Sequence, residues 1–169
     1  VLAAPVEFSQ TEVTVDALDK LLAVARQNSD YVVVDAGSRI DLMNSALFNS
    51  SATIYLVTQV GLSELRNANR MITQFFATSG RKLQIVLNRY TPHNLLLGEE
   101  YITKALTRPA QWRIPNDYAA AQRTRRAATP LALEDSPISI VLREMACKAY
   151  GLPEKEEEKK GFSFFGKAR

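Results

Sequence analysis

A chain of 169 residues can bury one sizeable core, and an apolar fraction of 46% is ordinary for a globular domain. Its 21 basic and 18 acidic residues leave a net charge of +3, too mild to argue for nucleic acid by itself. One cysteine, Cys147, excludes a disulfide framework and fits a reducing compartment. No apolar run approaches the roughly 20 residues of a bilayer span, and no basic stretch followed by an apolar core marks a signal peptide. The chain starts at Val1 with residues that already read as a strand, the pattern expected of a piece of a longer protein.

In chain order, Val1 to Ala4 reads as a short buried strand ended by Pro5, and Ser9 to Glu12 has capping-box spacing. The helix expected next places Val15, Leu18, Leu21, Leu22 and Ala25 on one face. Tyr31 to Asp35 (YVVVD) is a continuous apolar run ending in a carboxylate, which suits a strand buried on both faces of a parallel sheet. A short helix is expected over 41–49 and a second buried strand over 52–58. A helix then turns Leu62, Leu65, Ala68, Ile72 and Phe75 or Phe76 inward and stops at Gly80.

Leu83 to Leu87 is a third strand, leading into Asn88, Arg89 and Tyr90. A helix is expected over 99–106, a fourth strand over 111–114 and a helix over 116–127. Ser136 and Pro137 start a last helix that uses Ile138, Val141, Leu142 and Met145 and ends at Gly151. Strands alternating with helices at this spacing predict an α/β domain, an open doubly wound sheet that is mostly parallel with helices on both faces. The domain is expected over 1–152. The charged tail over 153–169 lacks a stripe that builds a core and is expected to be mobile.

In an open parallel sheet, ligands bind beyond the carboxyl ends of the strands. Asp35, Asn88 with Arg89, and Pro115 with Asn116 and Asp117 fall at such ends. A carboxylate there can hold magnesium through water beside nucleotide phosphates, and Gly37 lets a backbone amide approach a phosphate. The alternative is an aspartate that caps the next helix. Asn88 can donate to and accept from a purine edge or be a turn residue. Residues 114–117 can wall a base or start a helix.

No G-x-x-x-x-G-K-[ST], K-G-G variant or G-x-G-x-x-G occurs, so the main electrostatic anchor for a triphosphate is absent from these residues. His93 stands alone in a polar loop with no partner at zinc-ligand spacing. Arg123, Arg125 and Arg126 form either a phosphate-contacting cluster or a solvated helix face. Lys159 and Lys160 followed by Phe162, Phe164 and Phe165 suit a weak membrane-surface contact through 159–169, opposed by the acidic run at 156–158.

YVVVD at 31–35, ATIYLVT at 52–58, LSELRNANR at 62–70, IVLNRY at 85–90 and IPNDY at 114–118 stand in the order and spacing of MinD/ParA-like P-loop ATPases. Together with the small-residue A-T-P-L at 128–131, they resemble the CpaE/TadZ branch of Tad (Flp-type) pilus assembly. The resemblance covers residues 1 to about 150 and implies an incomplete P-loop fold whose phosphate loop lies N-terminal to Val1. It makes Asp35 similar to the Walker-B-like acid near magnesium and the γ-phosphate. It makes Asn88 the reader of adenine, with Pro115, Asn116 and Asp117 beside adenine and ribose.

Implied cofactors are ATP or ADP with Mg2+ in the complete protein, with none expected on this chain alone. Implied partners are a second copy and pilus or secretion proteins, with Arg66, Arg70, Arg123, Arg125 and Arg126 as a partner surface and nucleic acid not expected. The place is the cytoplasm, at the inner membrane or cell pole. The family's acid–x–proline–x–glycine switch appears here as Asp35-Ala36-Gly37 without the proline, which leaves open whether ATP is hydrolysed. The missing segment normally supplies a strand beside Tyr31–Asp35, so unpaired backbone is expected there. Alternatives are a non-catalytic scaffold of the same fold or a ParA-like DNA-partition ATPase.

Overall fold

The structure, a computed structural model, describes residues 14–37, 46–77, 82–92 and 98–152. The expected strand at Val1, the Ser9 capping box, His93 and the tail over 153–169 lie outside them, as do 41–45 of the expected short helix.

The elements run α1 (Val15–Asn28), α2 (Ala46–Asn49), β1 (Ile54–Thr58), α3 (Leu62–Phe75), β2 (Leu83–Tyr90), α4 (Glu99–Leu106), β3 (Trp112–Pro115), α5 (Tyr118–Ala127), a 3-10 turn at Leu131–Leu133, and α6 (Pro137–Ala149). Three parallel strands form one sheet in the order β1-β2-β3. Ile54 pairs with Leu83 and Thr58 with Leu87. On the other side Val86 pairs with Trp112 and Leu87 with Arg113, and Tyr90 meets Pro115 beyond an irregularity.

Strand parity divides the core. Ile54, Leu56, Leu83, Ile85 and Leu87 point to one face, where Leu65, Ala68 and Ile72 of α3 and Ile102 and Leu106 of α4 close over them. Each leucine or isoleucine among them taken fully out of water stabilises the fold by roughly 1.5–3 kcal/mol. The opposite face carries Val86 and Trp112. The indole N–H donates to Gln84 Oε1 at 2.6 Å, and Lys148 of α6 stands 5.2 Å above the ring. Helices therefore cover both faces, and the α/β architecture is the one expected.

Helix starts follow capping chemistry. Thr14 Oγ1 accepts from the amide of Ala17, Asp117 Oδ1 from Ala120, and Ser136 Oγ from Ser139. Pro137 sits in the first turn of α6. A Cβ at Gly61 would meet the Glu64 carboxylate, so the bare Gly61 lets Glu64 fold back over the positive end of α3.

Four expectations need correction. Tyr31–Asp35 forms no regular element and pairs with no strand among the described residues, and Val33 is 95% exposed. Its apolar composition argues for a buried strand, but among the described residues no neighbouring strand receives it; the Tyr31 ring packs edge-on to Tyr150 at 4.2 Å. On α1 only Leu22 is buried, while Val15 and Leu21 are exposed, because among the described elements α1 contacts chiefly the short α2. Leu62 is exposed because it opens α3, before the turn that meets the sheet. Asn116 precedes α5, whose cap is Asp117.

Candidate functional site

The carboxyl ends of β2 and β3 stand side by side. At the tip of β2 the strand bends: pairing is irregular between Leu87 and Tyr90, and Arg89 takes a left-handed backbone with φ +53°. For a residue with a Cβ this conformation costs about 1–2 kcal/mol. The Asn88 Oδ1 accepts from the Arg89 amide at 2.9 Å and supports the bend. A bulge of this kind re-aims the side chains beside it. The Asn116 amide donates to the Tyr90 carbonyl at 3.1 Å, which extends the pairing past the end of β3.

Asn88, Arg89, Pro115, Asn116 and Asp117 are thus brought to one edge of the sheet. Arg89 is exposed and Asn88 is half-buried. Asp117 is engaged as the α5 cap. A shallow open depression of about 290 Å3 lies beside Asn88 on the β1 and α3 side of the tip, and Arg89, Pro115, Asn116 and Asp117 do not line it. Leu56, Ala68 and Met71 give it apolar walls, and Thr58, Gln59, Glu64 and Asn67 give it polar ones. Sequence reasoning missed the four polar residues. Glu64 and Asn67 lie three apart on α3, a spacing that puts both on one helix face.

Asp35 lies on none of the described strands. Its Oδ1 accepts from the Gly37 amide at 3.0 Å, closing a small turn in which Gly37 has φ +56°. A magnesium ion beside phosphates keeps several waters and needs only one or two protein carboxylates, and the Asp35 carboxylate is exposed. Among the described residues no three His, Cys, Asp or Glu side chains cluster as metal ligands.

Arg66 and Arg70 are exposed on α3, and Arg123, Arg125 and Arg126 are exposed on α5. Arg123 reaches Glu134 at 3.4 Å. A third group joins Tyr90, the last residue of IVLNRY, with Glu99 and Arg113, which no motif marks. The Arg113 guanidinium and the Tyr90 hydroxyl hold the Glu99 carboxyl down to about 2 from 4.5. Among the described residues, no helix is long and apolar enough to cross a membrane.

No family model matches the sequence, and no curated protein matches it. Solved structures do share its architecture. A ParA family ATPase from Chlorobium tepidum TLS superposes with a TM-score of 0.69 at 24% identity, covering 79% of this chain and 57% of that one. A MinC:MinD cell division protein complex from Aquifex aeolicus gives 0.67 at 20%, over 85% and 62%. The Pyrococcus furiosus cell division ATPase MinD gives 0.62 at 20%, over 83% and 60%. The chain has the fold of ParA/MinD-type ATPases. It spans about three fifths of the length of these structures.

Proposed function

We propose that this chain carries the base-binding side of a purine-nucleotide site in a switch ATPase of the CpaE/TadZ kind, which localises or regulates assembly of the Tad/Flp-type pilus machinery. One observation supports this most: Asn88, two residues before the end of β2, and Pro115, the last residue of β3, lie on adjacent parallel strands whose tips are tied by the Asn116–Tyr90 bond. A carboxamide at that edge can donate to and accept from a purine, and Pro115 offers a flat apolar wall. Asp35 would take magnesium through water once ATP or ADP is held in a complete domain. Arg66 and Arg70 on α3 and the α5 arginines would form the surface for a second copy or for pilus proteins. The setting would be the cytoplasm, at the inner membrane or cell pole.

Nucleotide acts as a switch only if it binds one association state better than the other. The test is sedimentation of the complete protein with ATP, with ADP and without either. Dimer formation with ATP, needing about tenfold more ATP in Asn88→Ala, supports the reading; the same mass under all three conditions refutes it.

A second reading is a scaffold of the same fold without catalysis. The closed turn of Asp35 and Gly37 favours it, since the Gly37 amide is engaged by the aspartate. Partner binding indifferent to nucleotide would then be observed.

A further inference from the structure

Tyr90, Glu99 and Arg113 come from three elements: the end of β2, the first turn of α4 and the middle of β3. Glu99 Oε1 accepts from the Tyr90 hydroxyl at 2.6 Å and from Arg113 Nε at 2.7 Å, while Oε2 accepts from the second guanidinium arm at 2.8 Å. The guanidinium also lies 5.8 Å from the centroid of the Tyr90 ring, and its other arm donates to the Ala110 carbonyl at 3.3 Å. The Glu99 and Arg113 side chains are 43% and 38% exposed. Ion pairs this exposed add little to global stability. A two-pronged arginine–carboxylate pair does fix geometry.

What it fixes is the bend beside Asn88. Tyr90 directly follows the left-handed Arg89, and it is held twice, by its carbonyl to Asn116 and by its hydroxyl to Glu99. A residue pinned at both backbone and side chain cannot slide, so the two residues before it must take up the irregular register. We infer that Tyr90, Glu99 and Arg113 are positioning residues that hold the bent tip of β2 and so aim the Asn88 carboxamide. The inference rests on the purine reading only for what Asn88 binds.

The test follows the Asn88 side-chain amide and the Arg89 backbone amide by NMR, with adenosine as the probe, in the 169-residue chain and in Glu99→Gln, Arg113→Lys and Tyr90→Phe. Lysine keeps the charge but loses the fork, and Tyr90→Phe removes only a hydroxyl, which guards against a variant that fails to fold. Both amide signals should shift in all three variants while Ile85 and Ile102 stay in place, and adenosine binding should weaken roughly five- to tenfold in the first two. Unmoved Asn88 and Arg89 signals, or signals that move only along with those of the core, would overturn the inference. If adenosine fails to bind the unaltered chain while the two amides still respond to the substitutions, the purine reading falls and the positioning role stands.

Discussion

The backbone amide of Asn116 donates to the carbonyl of Tyr90 at 3.1 Å, so the loop after β3 is stitched to the strand that carries Asn88. This puts two features that are 28 residues apart in sequence on one edge of the sheet. Removing the carboxamide should therefore harm binding and spare folding. Asn88→Ala is expected to weaken adenine-nucleotide binding by the complete protein about tenfold, the worth of one hydrogen bond with its partner left unpaired. Its urea midpoint should fall by no more than the equivalent of about 0.5–1.5 kcal/mol, the worth of the lost bond from the Arg89 amide. Calorimetric titration and equilibrium unfolding check the two halves.

The Glu99 cluster has a definite pH signature. Arg113 first, then Tyr90, hold the Glu99 carboxyl down to about 2 from 4.5, so its folded value lies below its unfolded one. Its contribution is complete above about 4.5 and is lost as pH falls towards 2. The exposure of both partners limits that contribution to about 1 kcal/mol or less. Glu99, and then burial, raise the Tyr90 hydroxyl above 10, so a second contribution fades only as the solution becomes more alkaline than that. Urea midpoints at pH 5.5 and 2.5 should differ less in Glu99→Gln than in the parent, and Tyr90 in that variant should ionise at lower pH.

Ile102 is fully buried where α4 meets α3 and the sheet. Ile102→Ala should cost about 2–5 kcal/mol, transfer and cavity terms together. A shift of that size in the denaturant midpoint is the expected result.

Val33 makes the opposite forecast. At 95% exposure, Val33→Asp should change the stability of this chain by less than about 0.5 kcal/mol. A loss of several kcal/mol in thermal or urea unfolding would place the segment inside a sheet instead.

Much of the architecture was legible because local signals agreed with the final packing. The apolar runs expected at 52–58 and 83–87, the cap at Ser136 and the stripe Leu65, Ala68, Ile72 all found the partners their spacing implied, the first of them pairing from Ile54. Tyr31–Asp35 did not. An apolar run records a preference for burial but not whether a neighbouring strand is present to receive it. The tip residues Asn88 and Pro115 could be placed from strand ends alone. The bend at Arg89 and the clamp of Tyr90, Glu99 and Arg113 could not, since they depend on long-range pairing that no local pattern encodes. Glu99 read only as the start of a helix.

The most direct test is an NMR titration of the 169-residue chain with adenosine and, separately, with ATP and magnesium. A site that grips the base but supplies no phosphate cradle should bind both with the same weak affinity, about millimolar, and should move the amide signals of Asn88, Arg89 and Asn116. ATP binding a hundredfold tighter than adenosine, or shifts that leave those three residues untouched, would contradict the account.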